Sequence, residues 1–334
     1  MLFIEWLNTG NMNYRRWRHI DAVLTNGYVL ITGGENDTDY LRSTEIYNPS
    51  TEIWTITGSM NSARSTYAGI KLTDGKVLVS GGRNSATLNS AELYNPSTGT
   101  WTNTGSMNNA RRGHMLSLLT NGKVLASAGY NGGCLNSAEL YNPSTGTWTN
   151  TGSMNDARYK HTASLLTNGK VLVTGGQDTL TTYLNSAELY NPSTGTWAIA
   201  GSMSNSRYYH TASLLTNGKV LITGGYNGVV LSSAELYNPS TGLWTVTGSM
   251  IQARWQHAAS VLPNGNVLVS GGVNGGTYYK TAEVYDLSTG MWSLTAAMNN
   301  SRYLHISSEL TNGKILVSGG MNTATIRASE LYQS

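Results

Sequence analysis

The sequence predicts an all-β protein: a propeller of seven four-stranded antiparallel blades, closed when the N-terminal segment completes the C-terminal blade. Two observations carry that expectation. A glycine pair, once Ala-Gly, recurs every 47 to 49 residues and ends at Gly34, Gly82, Gly129, Gly176, Gly225, Gly272 and Gly320. A tryptophan keeps step with it at Trp6, Trp54, Trp101, Trp148, Trp197, Trp244 and Trp292. A unit this short cannot bury a hydrophobic face alone, so copies must stack on one another.

The elements of one unit follow from residues 157–203. After Arg158-Tyr-Lys-His161, two apolar runs flank Asn168-Gly169 and end at Thr-Gly-Gly176. Apolar runs joined by Asn-Gly signal a hairpin with a two-residue type I′ turn, because both residues tolerate positive φ. These are strands a and b. Strand b, Lys170-Val-Leu-Val173, is apolar at consecutive positions, which requires cover on both faces. A loop of variable length leads to strand c, Asn185-Ser-Ala-Glu-Leu-Tyr190. The turn Asn191-Pro-Ser-Thr-Gly195 then leads to strand d around Trp197. No helical pattern occurs, and a four-stranded sheet packed on both faces by its own copies is a propeller blade.

The register is offset from the termini. The last copy stops after its strand c, at Ser329-Glu-Leu-Tyr332, while Phe3-Ile-Glu-Trp6-Leu aligns with other strands d. Residues 1–9 are therefore expected to supply the outer strand of a last blade otherwise spanning 300–334, within one domain over residues 1–334.

Arg-x-x-His, Val-Leu-Val-x-Gly-Gly, Ala-Glu-Leu-Tyr-Asn-Pro and Thr-Gly-Thr-Trp resemble the Kelch repeat along the whole chain. The resemblance implies the four-stranded blade. Its relatives include actin-binding proteins, ubiquitin-ligase adaptors and the galactose oxidases, so fold transfers and function does not.

Composition restricts the function classes. Charged residues are 12% of the chain, with net charge +3, and most basic residues recur at fixed repeat positions. No basic stripe suited to a phosphate backbone appears, so nucleic acid is not an expected partner. No 18-residue apolar run occurs, so membrane insertion is not expected, and MLFIEWLNTG lacks the basic start of a secretion signal. A soluble chain is expected, monomeric unless part of a larger protein. The one cysteine, Cys134, allows no intrachain disulfide.

Antiparallel connectivity puts the a–b and c–d turns on one rim and the b–c loops and d–a links on the other. The first rim repeats almost verbatim; the second diverges. There, the residues after the glycine pairs are Glu35, Arg83, Tyr130, Gln177, Tyr226, Val273 and Met321. Those following the repeated arginine are Trp17-Arg18, Ser65-Thr66, Arg112-Gly113, Tyr159-Lys160, Tyr208-Tyr209, Trp255-Gln256 and Tyr303-Leu304. Variation on a rigid frame is where binding specificity resides, and aromatic and arginine side chains anchor interfaces. The candidate binding rim is therefore Trp17, Arg18, Arg83, Arg112, Tyr130, Tyr159, Lys160, Tyr208, Tyr209, Tyr226, Trp255, Gln256 and Tyr303. A plainer reading is that the rings shield the blade tops.

Other constellations belong to the scaffold. His19, His114, His161, His210, His257 and His305 share one repeat position, with Tyr67 at the seventh. Equivalent atoms of neighbouring blades lie too far apart for one ion, so each ring is expected to bond a backbone group. The repeated Arg and Glu start strands at the same rim and should pair, as in Arg158 with Glu188. No catalytic residue, metal or cofactor is expected.

The function read from the sequence is non-enzymatic binding of a protein segment or glycan on the divergent rim. One alternative is a galactose oxidase-like copper enzyme, disfavoured because Cys134 sits in a b–c loop and the repeat accounts for every histidine. The other is a purely structural near-consensus scaffold, suggested by the close identity of residues 88–107, 135–154 and 184–203.

Overall fold

The structure, a computed structural model, describes residues 4–179 and 181–333. Seven four-stranded antiparallel sheets form the ring. Their innermost strands a are Ile20–Val23, Ala68–Lys71, Met115–Leu118, Thr162–Leu165, Thr211–Leu214, Ala258–Val261 and Ile306–Glu309. Each contacts strand a of the next blade, and Ile306–Glu309 closes on Ile20–Val23. The seventh blade takes its outer strand from Glu5–Asn8, which pairs with Ser329–Gln333 in the register Trp6 opposite Tyr332. Met1–Phe3, part of the expected closing segment, lie outside the described residues.

Strand b is buried at all four positions in every blade, as its unbroken apolar run requires. The core consists of seven clusters, each built from neighbouring blades. One joins Leu119, Leu125 and Met154 to Val171, Val173 and Tyr190. In every blade the strand-c tyrosine packs on the strand-d tryptophan, with ring centroids 5.0–5.2 Å apart. The indole also ties blades together: Trp148 Nε1 donates to Gly105 O at 2.8 Å, and Trp6 Nε1 donates to Ala296 O at 2.8 Å across the ring closure.

The a–b hairpin departs from the expected type I′ turn. Gly169 has φ +78°, whereas Asn168 stays out of the left-handed region. Gly169 N–H donates to Leu166 O at 2.9 Å, and Leu166 N–H donates to Lys170 O at 2.8 Å. The loop thus has three residues, a type I turn followed by a left-handed glycine. The asparagine's contribution is its side chain, since Asn168 Oδ1 accepts the Lys170 N–H at 3.1 Å.

The expected Arg–Glu pairs exist in all seven blades, at 2.6–2.9 Å. Arg158 is fully buried; it donates to Glu188 Oε1 (2.9 Å) and, through Nη1, to the carbonyl of Gly175 (2.9 Å). Glu188 Oε2 accepts Asn155 N–H at 2.9 Å, so the carboxylate also caps the chain entering the blade. The glycine pair meets the next blade here: Gly176 N–H donates to Arg207 O at 2.9 Å, a link repeated round the ring to Gly320 and Arg16. A Cβ on Gly175 would stand 2.5 Å from Arg207 O. That close approach, rather than a turn alone, explains the repeated glycine.

Candidate functional site

The divergent rim is built from two positions per blade. The residue after the repeated arginine and the residue after the glycine pair face each other in an antiparallel bridge: Trp17 with Glu35, Ser65 with Arg83, Arg112 with Tyr130, Tyr159 with Gln177, Tyr208 with Tyr226, Trp255 with Val273, Tyr303 with Met321. Opposed residues of a bridge bring their side chains together, so the two variable series form one set of pairs.

The second residue after the arginine is left-handed in all seven blades: Arg18, Thr66, Gly113, Lys160, Tyr209, Gln256 and Leu304, with φ of 51–60°. Six of these are not glycine, and each such conformation costs about 1–3 kcal/mol unless its surroundings impose it. In five of the seven blades a neighbouring blade holds it. Gly113 N–H donates to Thr66 O (2.8 Å), Lys160 to Gly113, Tyr209 to Lys160, Gln256 to Tyr209 (3.1 Å), and Leu304 to Gln256 (2.9 Å). Together with Arg18 these residues form a collar at the inner end of the blades.

Below the collar lies a cavity of about 210 Å³, lined by Arg18, Lys160, Tyr209 and Gln256 above His19, His210, His257 and His305. Five of the six histidines reach hydroxyls on the preceding blade: His114 Nε2 lies 3.0 Å from Ser80 Oγ, and His161 Nε2 lies 3.2 Å from Ser127 Oγ. The Ser or Thr that ends strand b supplies the partner. His210 and His257 also meet the expected backbone groups, at Arg207 and Arg254. Burial, then the neighbouring arginines, hold these imidazoles well below their ordinary pKa, with His257 near 3.

The rim is polarised. Blades 1–4 carry four cations, Arg18, Arg83, Arg112 and Lys160. Arg18 bonds Glu35 at 2.9 Å, and Arg83 reaches the same carboxylate at 3.5 Å. Arg18 lies over the Trp17 ring (4.1 Å) and Arg112 over Tyr130 (4.8 Å). The half-buried Lys160 Nζ lies between Tyr159 (5.6 Å) and Tyr209 (5.1 Å). Burial, followed by the charges of Arg18, Arg112 and Arg83, lowers its pKa to about 7.

Blades 4–6 carry a continuous aromatic arc. Tyr208 touches Tyr209 (5.0 Å), Tyr226 (5.9 Å) and Trp255 (5.8 Å), and stacks on Tyr183 (5.2 Å). Tyr209 also meets Trp255 at 5.7 Å, which joins arc to cavity. Of the thirteen candidates, Arg18, Arg83, Arg112, Lys160, Trp17, Tyr130 and Tyr159 gather at the cationic pole. Tyr208, Tyr209, Tyr226, Trp255 and Gln256 gather at the aromatic one. Tyr303 stands apart, stacked on Tyr278 at 5.3 Å.

Sequence reasoning missed Tyr183 and Tyr278 and the counter-ion role of Glu35. The signal for the first two lies in the b–c loops, which fold back so that a residue late in the loop bridges the one after the glycine pair, as Tyr183 does Gln177 and Tyr278 does Val273. Among the described residues, no three His, Cys, Asp or Glu side chains gather as metal ligands. Burial raises the Cys134 thiol to about 11.

This is a closed propeller whose repeat-invariant parts are structural and whose variable parts surround one axial cavity. The Kelch motif model matches residues 16–61, 65–108, 111–155, 158–204, 207–251 and 254–299, and the chain belongs to the Kelch-repeat family. The blade left unmatched is the one assembled from both ends of the chain. No curated protein matches the sequence. Among solved structures, a novel fungal alcohol oxidase with catalytic diversity in the AA5 family, in complex with copper, superposes with a TM-score of 0.82. It is 17% identical, over 99% of this chain and 76% of that one, a likeness that shows the fold alone.

Proposed function

We propose that this protein is a non-enzymatic binding module that takes a partner segment or glycan on its b–c/d–a rim. One observation carries the reading: side-chain divergence among seven near-identical copies is concentrated where cationic and aromatic groups converge on one cavity. The opposite rim repeats the same turn with little change. Half-buried rings and guanidinium groups on a rigid frame are the chemistry of binding anchors.

The test is a glycan array and a peptide library probed with the wild type and with the triple variant Trp255→Ala, Tyr208→Ala, Arg112→Ala. Binding should be lost in the variant while its melting temperature stays within a few degrees. Retained binding removes the rim assignment, and blanks in both screens favour a purely structural array. The alternative of a copper oxidase draws on the Kelch resemblance and on the structural neighbour. Stoichiometric copper in the purified protein, together with peroxide release, would establish it against the binding reading.

A further inference from the structure

We propose that the axial cavity receives the carboxylate of an acidic saccharide, whose ring stacks on the Tyr208–Tyr209–Trp255 arc. The proposal rests on the rim-binding reading and narrows it to one ligand chemistry.

Charge is the first argument. Two cations, Arg18 and Lys160, line the cavity, and Arg83 and Arg112 stand close enough to act on Lys160, against one carboxylate, Glu35, which is itself buried and already shared by Arg18 and Arg83. Arg112 and Lys160 are left with aromatic faces. Elsewhere in this chain each scaffold arginine has its own glutamate, so the surplus is not how the fold accommodates a guanidinium. Like charges gathered where water is partly excluded repel one another, and an entering anion relieves that repulsion. A carboxylate suits the arginines in particular, because a guanidinium presents two parallel N–H donors to its two oxygens.

Size and shape are the second argument. The cavity holds about 210 Å³. That is below the ~300–1,000 Å³ of pockets for larger ligands, so it admits one small group and leaves the rest outside. What lies outside is the aromatic arc, continuous with the cavity wall through Tyr209. Ring faces pack against the C–H face of a sugar, and half-buried tyrosines keep polar edges for its hydroxyls. Gln256 adds an amide donor and acceptor at the wall. An acidic peptide would satisfy the cations but leave the arc without a matching surface.

Binding should couple to protonation. Lys160 is faced by Arg18, Arg83 and Arg112, by Glu35, by the Tyr159 and Tyr209 rings, and by His114 and His161 on the strands beside it. Burial pushes Tyr159 up to about 12 and raises Tyr209, and it holds both imidazoles well below their ordinary pKa. A bound carboxylate favours the ammonium form of Lys160, so affinity should hold steady below about pH 7 and fall above it.

The experiment is calorimetry of the full chain with sialyllactose and a glucuronate-terminated disaccharide, against lactose and a glutamate-rich peptide, at pH 6 and pH 9. At least one acidic sugar should bind tenfold or more tighter than lactose and weaken about tenfold at pH 9. Lys160→Met should abolish that pH dependence and most of the acidic preference. Arg112→Gln, which keeps the planar amide, should lower the preference without removing the pH dependence. Equal affinity for acidic and neutral sugars overturns the proposal yet leaves the rim reading standing. Binding of the peptide alone, lost in the triple rim variant, overturns the saccharide assignment and again spares the rim. Binding of none of the four, joined to blank screens, removes both.

Discussion

Two sets of arginines lie within a few residues of each other and are treated in opposite ways. Arg111 is fully buried and bonded to Glu139 at 2.8 Å, to the Ala128 carbonyl at 2.7 Å and to the Ser137 carbonyl at 3.0 Å. Its chain neighbour Arg112 has a tyrosine ring at 4.8 Å and shares its pole with three other cations. The first arrangement is repeated in every blade; the second occurs on one side of one rim. Removing a charge from water entails a desolvation penalty that only well-placed partners offset. The fold supplies those partners wherever the charge is structural. Where it withholds them, the charge remains half-solvated and available.

The sharpest way to break the comparison is to open the ring on which both sets depend. Deleting residues 1–8 removes the whole strand paired with Ser329–Gln333, the buried Trp6 ring and its bond to Ala296. A large-to-small change at one buried tryptophan costs about 3–5 kcal/mol, and the deletion should exceed that. Urea unfolding should show a lower midpoint or a lost cooperative transition, and dissolve both arginine environments together. An unchanged midpoint would mean that the closing strand contributes nothing to stability.

Next in size are two matched substitutions. Glu139→Gln leaves Arg111 buried without its counter-charge and should lower unfolding free energy by about 3–5 kcal/mol. Glu35→Gln is the same chemical change at the axial pole, where Arg18 and Arg83 are 22% and 31% exposed. Glu35 is buried, but both guanidinium groups keep access to water, so the loss should be about 1–2 kcal/mol, below that at Glu139. Equal losses from the two variants would erase the distinction between structural and available arginines.

How much of this was legible in the sequence follows the same division. The blade order, the closing strand and the Arg158–Glu188 pair all depend on spacing, and spacing repeats seven times. The two-residue hairpin at Asn168-Gly169 failed because the turn type depends on φ at the asparagine, which the dipeptide leaves open. The hydroxyl partners of the histidines were not legible, because they come from the neighbouring blade, at a distance fixed only by how the wedges stack. At the rim, the thirteen candidates were readable as variable positions on one face. Their separation into a cationic and an aromatic pole was not, since it depends on which blades adjoin across the axis. Tyr183 escaped notice because its place is set by a fold-back inside a loop of irregular length. The family match and the solved relative carry the propeller as firmly as the spacing does, and both stop short of the rim.

The smallest expected effect is the most specific to the axial pole. Lys160 has its pKa lowered from an ordinary 10.5 to about 7, by burial first and then by Arg18, Arg112 and Arg83. Between those two values the unfolded chain holds a proton at this site that the folded chain has released. Stability therefore rises with pH across that window. Below about pH 7 both states carry the charge, and the folded protein bears the full penalty of housing it. Lys160→Met removes that penalty and keeps the apolar stem against Tyr159 and Tyr209. The variant should melt about 2–4 °C higher than the wild type at pH 6, and the gain should shrink steadily toward pH 10. Arg111 offers the opposite control, because its glutamate is in place and Arg111→Met should destabilise at every pH in that range. If Lys160→Met lowers the melting temperature at pH 6, the lysine is already satisfied within the fold, and the contrast between the two sets of cations fails at the residue that expresses it most.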